Sequence, residues 1–171
     1  MTSKLHLLSR FRIVLCQPSH PGNIGSTARA MKVMGLHDLK LVNPEKFPDS
    51  EANALACGAV DLLENAQICS TLEEALTGCT LAIGLSARKR QLSHRLVNVR
   101  EAAMEARNLL LQSADEDSKI ALVFGTEMSG LSNAELDRCQ LLAMIPTDPD
   151  YWSLNLAAAV QVMCYEVRMA L

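Results

Sequence analysis

The chain alternates between short apolar or β-branched runs and longer segments whose apolar residues recur at helical spacing. RIVLC (12–16), LKLVN (39–43), NAQICS (65–70), LAIGLSA (81–87), KIALVFG (119–125) and LLAMIP (141–146) read as strands. Between them, GNIGSTARAMKVMG (22–35) reads as a glycine-rich loop feeding a helix and SEANALACGAV (50–60) as a short helix. VNVREAAMEARNLLLQ (97–112) and SLNLAAAVQVMCYEVRMAL (153–171) read as long helices. Thr71 with Glu74 and Ser132 with Glu135 have capping-box spacing, and Ser153 can cap the last helix. Strands alternating with helices predict an α/β fold with a largely parallel sheet and helices on both faces. With no internal repeat and no Gly/Ser- or Pro-rich linker, residues 1–171 are expected to form one domain. In such a sheet, ligands bind beyond the carboxyl ends of the strands, so the strand-to-helix loops are the place to look for chemistry.

Composition narrows this picture. The 171 residues carry 16 basic and 19 acidic side chains, a net charge of −3 that excludes a globally basic nucleic-acid binder. Charge is nonetheless uneven. Residues 86–100 hold Arg88, Lys89, Arg90, Arg95 and Arg100 with no acid, leaving 11 basic and 19 acidic residues elsewhere. A basic segment on an acidic body is the local footprint expected of a protein that touches phosphates with one face, although a solvated loop has the same composition. The six cysteines show no C-x-x-C spacing, so no metal site is expected and they read as reduced core residues of a cytoplasmic protein. The apolar C-terminal segment is interrupted by Gln161, Glu166 and Arg168, which predicts a buried helix rather than a membrane span.

Three loops carry the candidate chemistry. His20-Pro21-Gly22-Asn23-Ile24-Gly25 leads into a helix on which Ile24, Thr27, Met31 and Met34 share one side, while Arg29 and Lys32 share the other. Backbone donors and a cation brought together suit an anion such as a nucleic-acid phosphate. Gly125-Thr126-Glu127-Met128-Ser129-Gly130 follows the strand ALVF and reads as a tight loop approaching a ligand, or as a plain turn. The third runs from Ile145 through the single tryptophan, Trp152, to Asn155. The dinucleotide and NTP cradles G-x-G-x-x-G and G-x-x-x-x-G-K-[ST] do not occur, nor does the G-x-S-x-G elbow.

Taken in order, SHPGNIGSTARAMKVMGL, ALVFGTEMSGLSNAEL and IPTDPDYWSLNLAAAVQVMCYEVRMA, with GLSAR between them, resemble the three motifs of the SPOUT-class RNA methyltransferases. The nearest resemblance is to the bacterial tRNA (cytidine/uridine-2′-O-)-methyltransferases of the TrmJ family, and it runs from Arg12 almost to the end of the chain. It implies a C-terminal deep trefoil knot, S-adenosylmethionine as cofactor, a homodimer that completes the site, and tRNA as partner. By motif position, Leu85, Ser86, Ala87, Gly125, Ile145, Trp152, Ser153 and Leu154 would line the cofactor pocket. Arg29, in N-x-G-x-x-x-R from Asn23, matches the catalytic arginine. A guanidinium stays protonated, so its implied role is to orient the ribose and stabilise the developing alkoxide. Asn23, Glu127, Ser153 and Asn155 would hold loops and substrate, with Glu127 equally readable as an acceptor for loop amides. Lys32, Arg88, Lys89, Arg90 and Arg95 are the candidate RNA contacts.

The activity implied is methylation of the ribose 2′-hydroxyl of cytidine or uridine at the first position of the tRNA anticodon loop. The alternatives are the same transfer to another tRNA or rRNA nucleotide, or an RNA-binding protein of this fold without turnover. Two positions depart from the family: Thr126 stands where arginine is usual, and Trp152 where a small or polar residue is. Family members commonly continue into a C-terminal extension, which this chain would lack. In the last helix, Leu154, Leu156, Val160, Val162 and Met163 spread widely enough to suggest a second copy.

Overall fold

The computed structural model describes residues 3–87 and 94–171. It contains one sheet of seven strands, every paired neighbour parallel. The strands are β1 (Phe11–Cys16), β2 (Asp38–Val42), β3 (Gln67–Cys69), β4 (Cys79–Leu85), β5 (Leu96–Asn98), β6 (Lys119–Phe124) and β7 (Leu141–Met144). Their order across the sheet is β3-β2-β1-β6-β4-β7-β5. Six match the predicted strands. The seventh, β5, lies where a helix start was expected, because its three residues bury only Val97 and lead directly into the helix that Asn98 caps. That last feature is local: the Asn98 side chain accepts from the Glu101 amide and α6 (Val99–Gln112) follows.

The central strands are buried along almost their whole length, β1 entirely and β6 in all but Lys119. Two apolar layers result. One includes Ile13, Leu15, Leu122 and Phe124 with α2 (Pro21–Met34), α6 and α8 (Leu156–Ala170). The other includes Val14, Cys16, Ala121 and Val123 beneath Leu72 of α5 (Leu72–Ala75) and Leu136 of α7 (Asn133–Leu136). An N-terminal turn of helix, α1 (Lys4–Leu8), adds Leu7 and Leu8 to the first layer, and the short α4 (Val60–Glu64) adds Leu62 and Leu63. Along α8, Leu156, Val160, Met163, Cys164 and Val167 form one buried stripe facing α2 and α6. Val162 is half-buried and Leu154 is exposed, so packing within this chain covers most of the apolar spread and leaves Leu154 at the surface.

The structure corrects three local expectations. The first glycine-rich stretch is not a loop, since α2 begins at Pro21 and takes both glycines into its first turns. Proline at the first helical position loses no hydrogen bond there. Gly25 is instead a packing residue: a Cβ there would lie 2.1 Å from the Ala52 carbonyl oxygen of α3 (Ser50–Ala56). Second, the C-terminal helix starts at Leu156, and its cap is Asn155, not Ser153; Asn155 Oδ1 accepts from the Ala158 amide at 2.8 Å. Third, the Thr71 helix start is a variant of the expected box. Thr71 accepts from the Glu74 amide, but the Glu74 carboxylate takes the amide of Ser70 rather than that of Thr71. Both halves of the Ser132–Glu135 box are present.

The end of the sheet opposite the carboxyl termini is clamped by polar side chains. Asp38 Oδ2 accepts from Arg12 Nε at 2.9 Å and from Lys119 Nζ at 2.8 Å, joining β1, β2 and β6. Arg12 also donates to the carbonyls of Ala75 and Thr77. Burial alone raises the Asp38 pKa, but the donors from Lys119 and Arg12 outweigh it and hold the carboxyl below its ordinary range.

Candidate functional site

β6, β4 and β7 are neighbours, and the segments leaving their carboxyl ends meet α8 around a cleft of about 320 Å³. Leu85, Ser86 and Ala87 come from the end of β4 and Gly125–Leu131 from the loop after β6. Trp152, Ser153 and Leu154 come from the segment before α8. A smaller apolar slot of about 90 Å³ adjoins it, where Ile145 and Thr147 join Leu85 and Leu154. All eight residues expected to line a cofactor pocket therefore border one of these two connected spaces. Ser86 is tied to β7 through its amide, which donates to the Ala143 carbonyl at 2.9 Å. Trp152, 36% exposed, is held by its carbonyl, which accepts from Thr147 Oγ1 at 3.1 Å.

The loop after β6 is folded back on itself. The Gly130 amide donates to the Thr126 carbonyl at 3.0 Å, and the Thr126 and Ser129 hydroxyls lie 2.8 Å apart. Gly125 permits this closure, since a Cβ there would fall 2.0 Å from the Gly130 carbonyl carbon and 2.2 Å from the Leu131 nitrogen. The loop then presents Glu127 to the start of α2. One oxygen, Oε2, accepts from the Ser19 amide at 3.1 Å and its hydroxyl at 2.8 Å. The other, Oε1, accepts from the amides of Ser19 and His20, both at 3.3 Å, and from Asn23 Nδ2 at 3.2 Å. Partial burial pushes the Glu127 pKa up, but its own backbone amide, with the donors from Ser19 and Asn23, pushes it further down, and the net position is below the ordinary 4.5. Of the two readings open from sequence, the geometry gives Glu127 the acceptor role for loop amides, with Asn23 as one of its donors. Ser19, which sequence spacing did not single out, is its main partner.

The remaining expected residues stand apart. Arg29 is exposed on the side of α2 facing the α3 end, with Nη1 3.7 Å from Cys57 Sγ, and it does not border the cleft. Lys32, on the same face, donates to the Gly58 carbonyl and to Asp61 Oδ1, both at 2.9 Å. Its charge is thus partly engaged within the chain, a tertiary pairing that helix spacing alone does not reveal. Arg95 pairs with Glu105 and Arg100 with the largely covered Glu166; both arginines are themselves exposed, where such pairs contribute little and give way to other partners. Arg88, Lys89 and Arg90 lie outside the described residues. Among the described residues, no group of three His, Cys, Asp or Glu side chains is placed to hold a metal, and no helix is long and apolar enough to cross a membrane.

A parallel sheet with helices on both faces, whose ligand-sized cleft is built from three adjacent strand ends, defines the class. Residues 10–165 match the SpoU rRNA Methylase family, and the chain belongs to that family. It is 53% identical over 164 residues to the tRNA (cytidine/uridine/adenosine-2′-O-)-methyltransferase TrmJ of Pseudomonas aeruginosa, a match covering 96% of this chain and 62% of that protein. The chain spans less than two thirds of the length of such curated relatives, 65% for the Klebsiella pneumoniae TrmJ. Among solved structures, a "probable methyltransferase" from Bordetella pertussis superposes with a TM-score of 0.90 at 46% identity, covering 97% of this chain and 98% of that one. The SpoU methyltransferase AviRb of Streptomyces viridochromogenes, in complex with AdoMet, shares the fold at a TM-score of 0.70 and 22% identity, covering 94% of this chain and 58% of that one.

Proposed function

We propose that this protein transfers a methyl group from S-adenosylmethionine to the 2′-hydroxyl of a tRNA cytidine or uridine, at the first position of the anticodon loop. The observation that carries this reading is the cleft with its adjoining slot, which between them are bordered by all eight residues that the family motifs assign to the donor. Its size lies within the range of small-molecule sites, and its mix of apolar walls (Leu85, Leu154, Ile145) with backbone polar groups suits an adenosyl group. When bound, S-adenosylmethionine supplies an electrophilic sulfonium methyl. The chain's own residues then orient the acceptor and exclude water. Glu127 fixes the β1–α2 corner, and Ser153, at the cleft wall, lies within reach of a ribose. Arg29 stabilises negative charge as it develops on the 2′-oxygen.

Arg29 lies away from the cleft of its own chain, which supports a homodimer in which one copy's α2 completes the partner's site. The knotted arrangement of the C-terminal part is part of the same reading. Its support is β7, the last strand, lying between β4 and β5, which are consecutive in the chain. Residues 1–171 act as one catalytic domain in the cytoplasm, with the 86–100 segment and Lys32 meeting tRNA phosphates. A second reading, favoured by the family's name, is the same transfer to ribosomal RNA.

The test is transfer of labelled methyl to unmodified bulk tRNA and to ribosomal RNA, by the native chain and by Arg29→Ala. Transfer to tRNA that vanishes in Arg29→Ala, while both proteins bind the donor equally, is expected. Transfer to ribosomal RNA alone selects the second reading. Absence of donor binding by the native chain overturns both.

A further inference from the structure

A second cavity, of about 420 Å³, lies on the far side of the loop after β6 and is absorbed by no part of the site described above. Gln17, Ser19, Asn43 and Glu45 line it from the carboxyl ends of β1 and β2, and Thr126 and Met128 line it from the loop. Thr126 and Met128 also border the donor cleft, so the folded loop is a partition between the two spaces. A molecule in this cavity is therefore next to whatever occupies the cleft.

The lining selects the kind of molecule. Among the described residues it contains no cation and one carboxylate, Glu45, a lining that does not favour a phosphate or other anion. It does contain unspent hydrogen-bonding capacity. The Gln17 side-chain amide has no partner among the described residues, and Asn43 uses its Nδ2 on the Ser70 carbonyl, leaving Oδ1 as an acceptor. The Ser19 hydroxyl gives its proton to Glu127 and keeps its lone pairs. The apolar element is Met128, 91% exposed, whose polarizable thioether favours contact with an aromatic ring. A flat heterocycle bearing amino and carbonyl groups at its edge, and no charge, fits this combination. In single-stranded RNA that description is a splayed-out nucleobase.

We propose that this cavity holds the base of the acceptor nucleotide, with Met128 against its face and Gln17 and Asn43 at its edge, while the attached ribose reaches past the partition toward the donor cleft. The assignment rests on the methyl-transfer reading above and adds to it the residues that hold the base. Gln17 has a left-handed backbone (φ 49°), which asparagine also tolerates, so Gln17→Asn shortens the amide without straining the turn. Met128 is exposed enough that Met128→Ala leaves folding intact.

Two measurements test the proposal. In protein labelled with ¹³C at the methionine methyls, millimolar cytidine is expected to shift the Met128 signal, whereas ribose 5-phosphate at the same concentration leaves it in place. In steady-state methyl transfer, Met128→Ala and Gln17→Asn are each expected to raise KM for tRNA by about five-fold or more, the loss of one base contact, and Gln17→Asn, which does not border the donor cleft, leaves donor affinity unchanged within about two-fold. A Met128 signal that ignores cytidine, or that moves equally with ribose 5-phosphate, overturns the assignment. So does a KM for tRNA unmoved in both variants. If the native chain methylates no RNA, the reading of the reaction fails, and the cytidine titration alone decides the cavity.

Discussion

Replacing Glu127 by glutamine tests the corner on which the candidate site is built. The substitution preserves size and one acceptor oxygen but turns the other into an NH2 group and removes the charge. With oxygen kept at the Oε1 position, the amide nitrogen faces the Ser19 N–H; with oxygen at Oε2, it faces the His20 N–H and the Asn23 amide. With oxygen at Oε1 the Ser19 N–H keeps only its longer, 3.3 Å contact, with oxygen at Oε2 the His20 N–H loses its acceptor, and every surviving bond becomes neutral. Hydrogen bonds to charged groups contribute about 1.5–3 kcal/mol each, and partial exposure of this carboxylate lowers that. A net loss of roughly 2–3 kcal/mol follows, about 5–10 °C in Tm for a chain of this size. The same loss accelerates amide exchange of Ser19 and His20 by roughly 30- to 150-fold where they open locally. The sign with pH is fixed by the depressed pKa of Glu127 in the folded state. Its contribution is present above the ordinary carboxyl value of 4.5 and is lost as pH falls through the folded pKa. The stability gap between the native chain and Glu127→Gln is therefore expected to close on acidification below that value. Equal Tm at neutral pH together with unchanged exchange at Ser19 and His20 would refute the role given to this side chain.

Other perturbations follow from the packing. Gly125→Ala sets a methyl against the Gly130–Leu131 peptide, so the loop must open; S-adenosylhomocysteine affinity by calorimetry is expected to fall about ten-fold or more, and unchanged affinity contradicts the closure argument. Asp38→Asn leaves Arg12 and Lys119 without their shared anion at a mostly buried position, for a loss of roughly 2–4 kcal/mol by urea unfolding with the m-value unchanged. A loss below about 0.5 kcal/mol there would mean the clamp contributes nothing net.

Much of the architecture was legible because it is written locally. The apolar runs at 12–16, 81–87, 119–125 and 141–146 have no polar face to expose, so a covered sheet was the one arrangement available to them. What was not legible depends on contacts between distant residues. Nothing in PGNIG distinguishes a cradle loop from helix turns that need glycine for close packing; the Ala52 carbonyl decides, 27 residues away. β5 is too short to show a period, and it is a strand only because β7 lies beside it. The pairing of Lys32 with Asp61 and the convergence of Ser19, His20 and Asn23 on Glu127 are likewise tertiary. The cleft-lining residues were named through family motifs rather than through periodicity. Chain spacing alone reached no further than three loops at strand ends.

The strand order also sets a schedule for synthesis. β5 has one partner, β7, and the two are separated by more than forty residues of chain, so residues 96–98 have nothing to pair with until 141–144 have left the ribosome. β4, paired on its other side to β6, likewise waits for β7 to cover its second edge, and the cleft has no third wall before then. A nascent chain paused after β6 exposes that edge, a surface on which non-native pairing begins. Long-range parallel closure of this kind folds slowly, which makes the arrival of residues 141–144 the step that completes the sheet and the cleft.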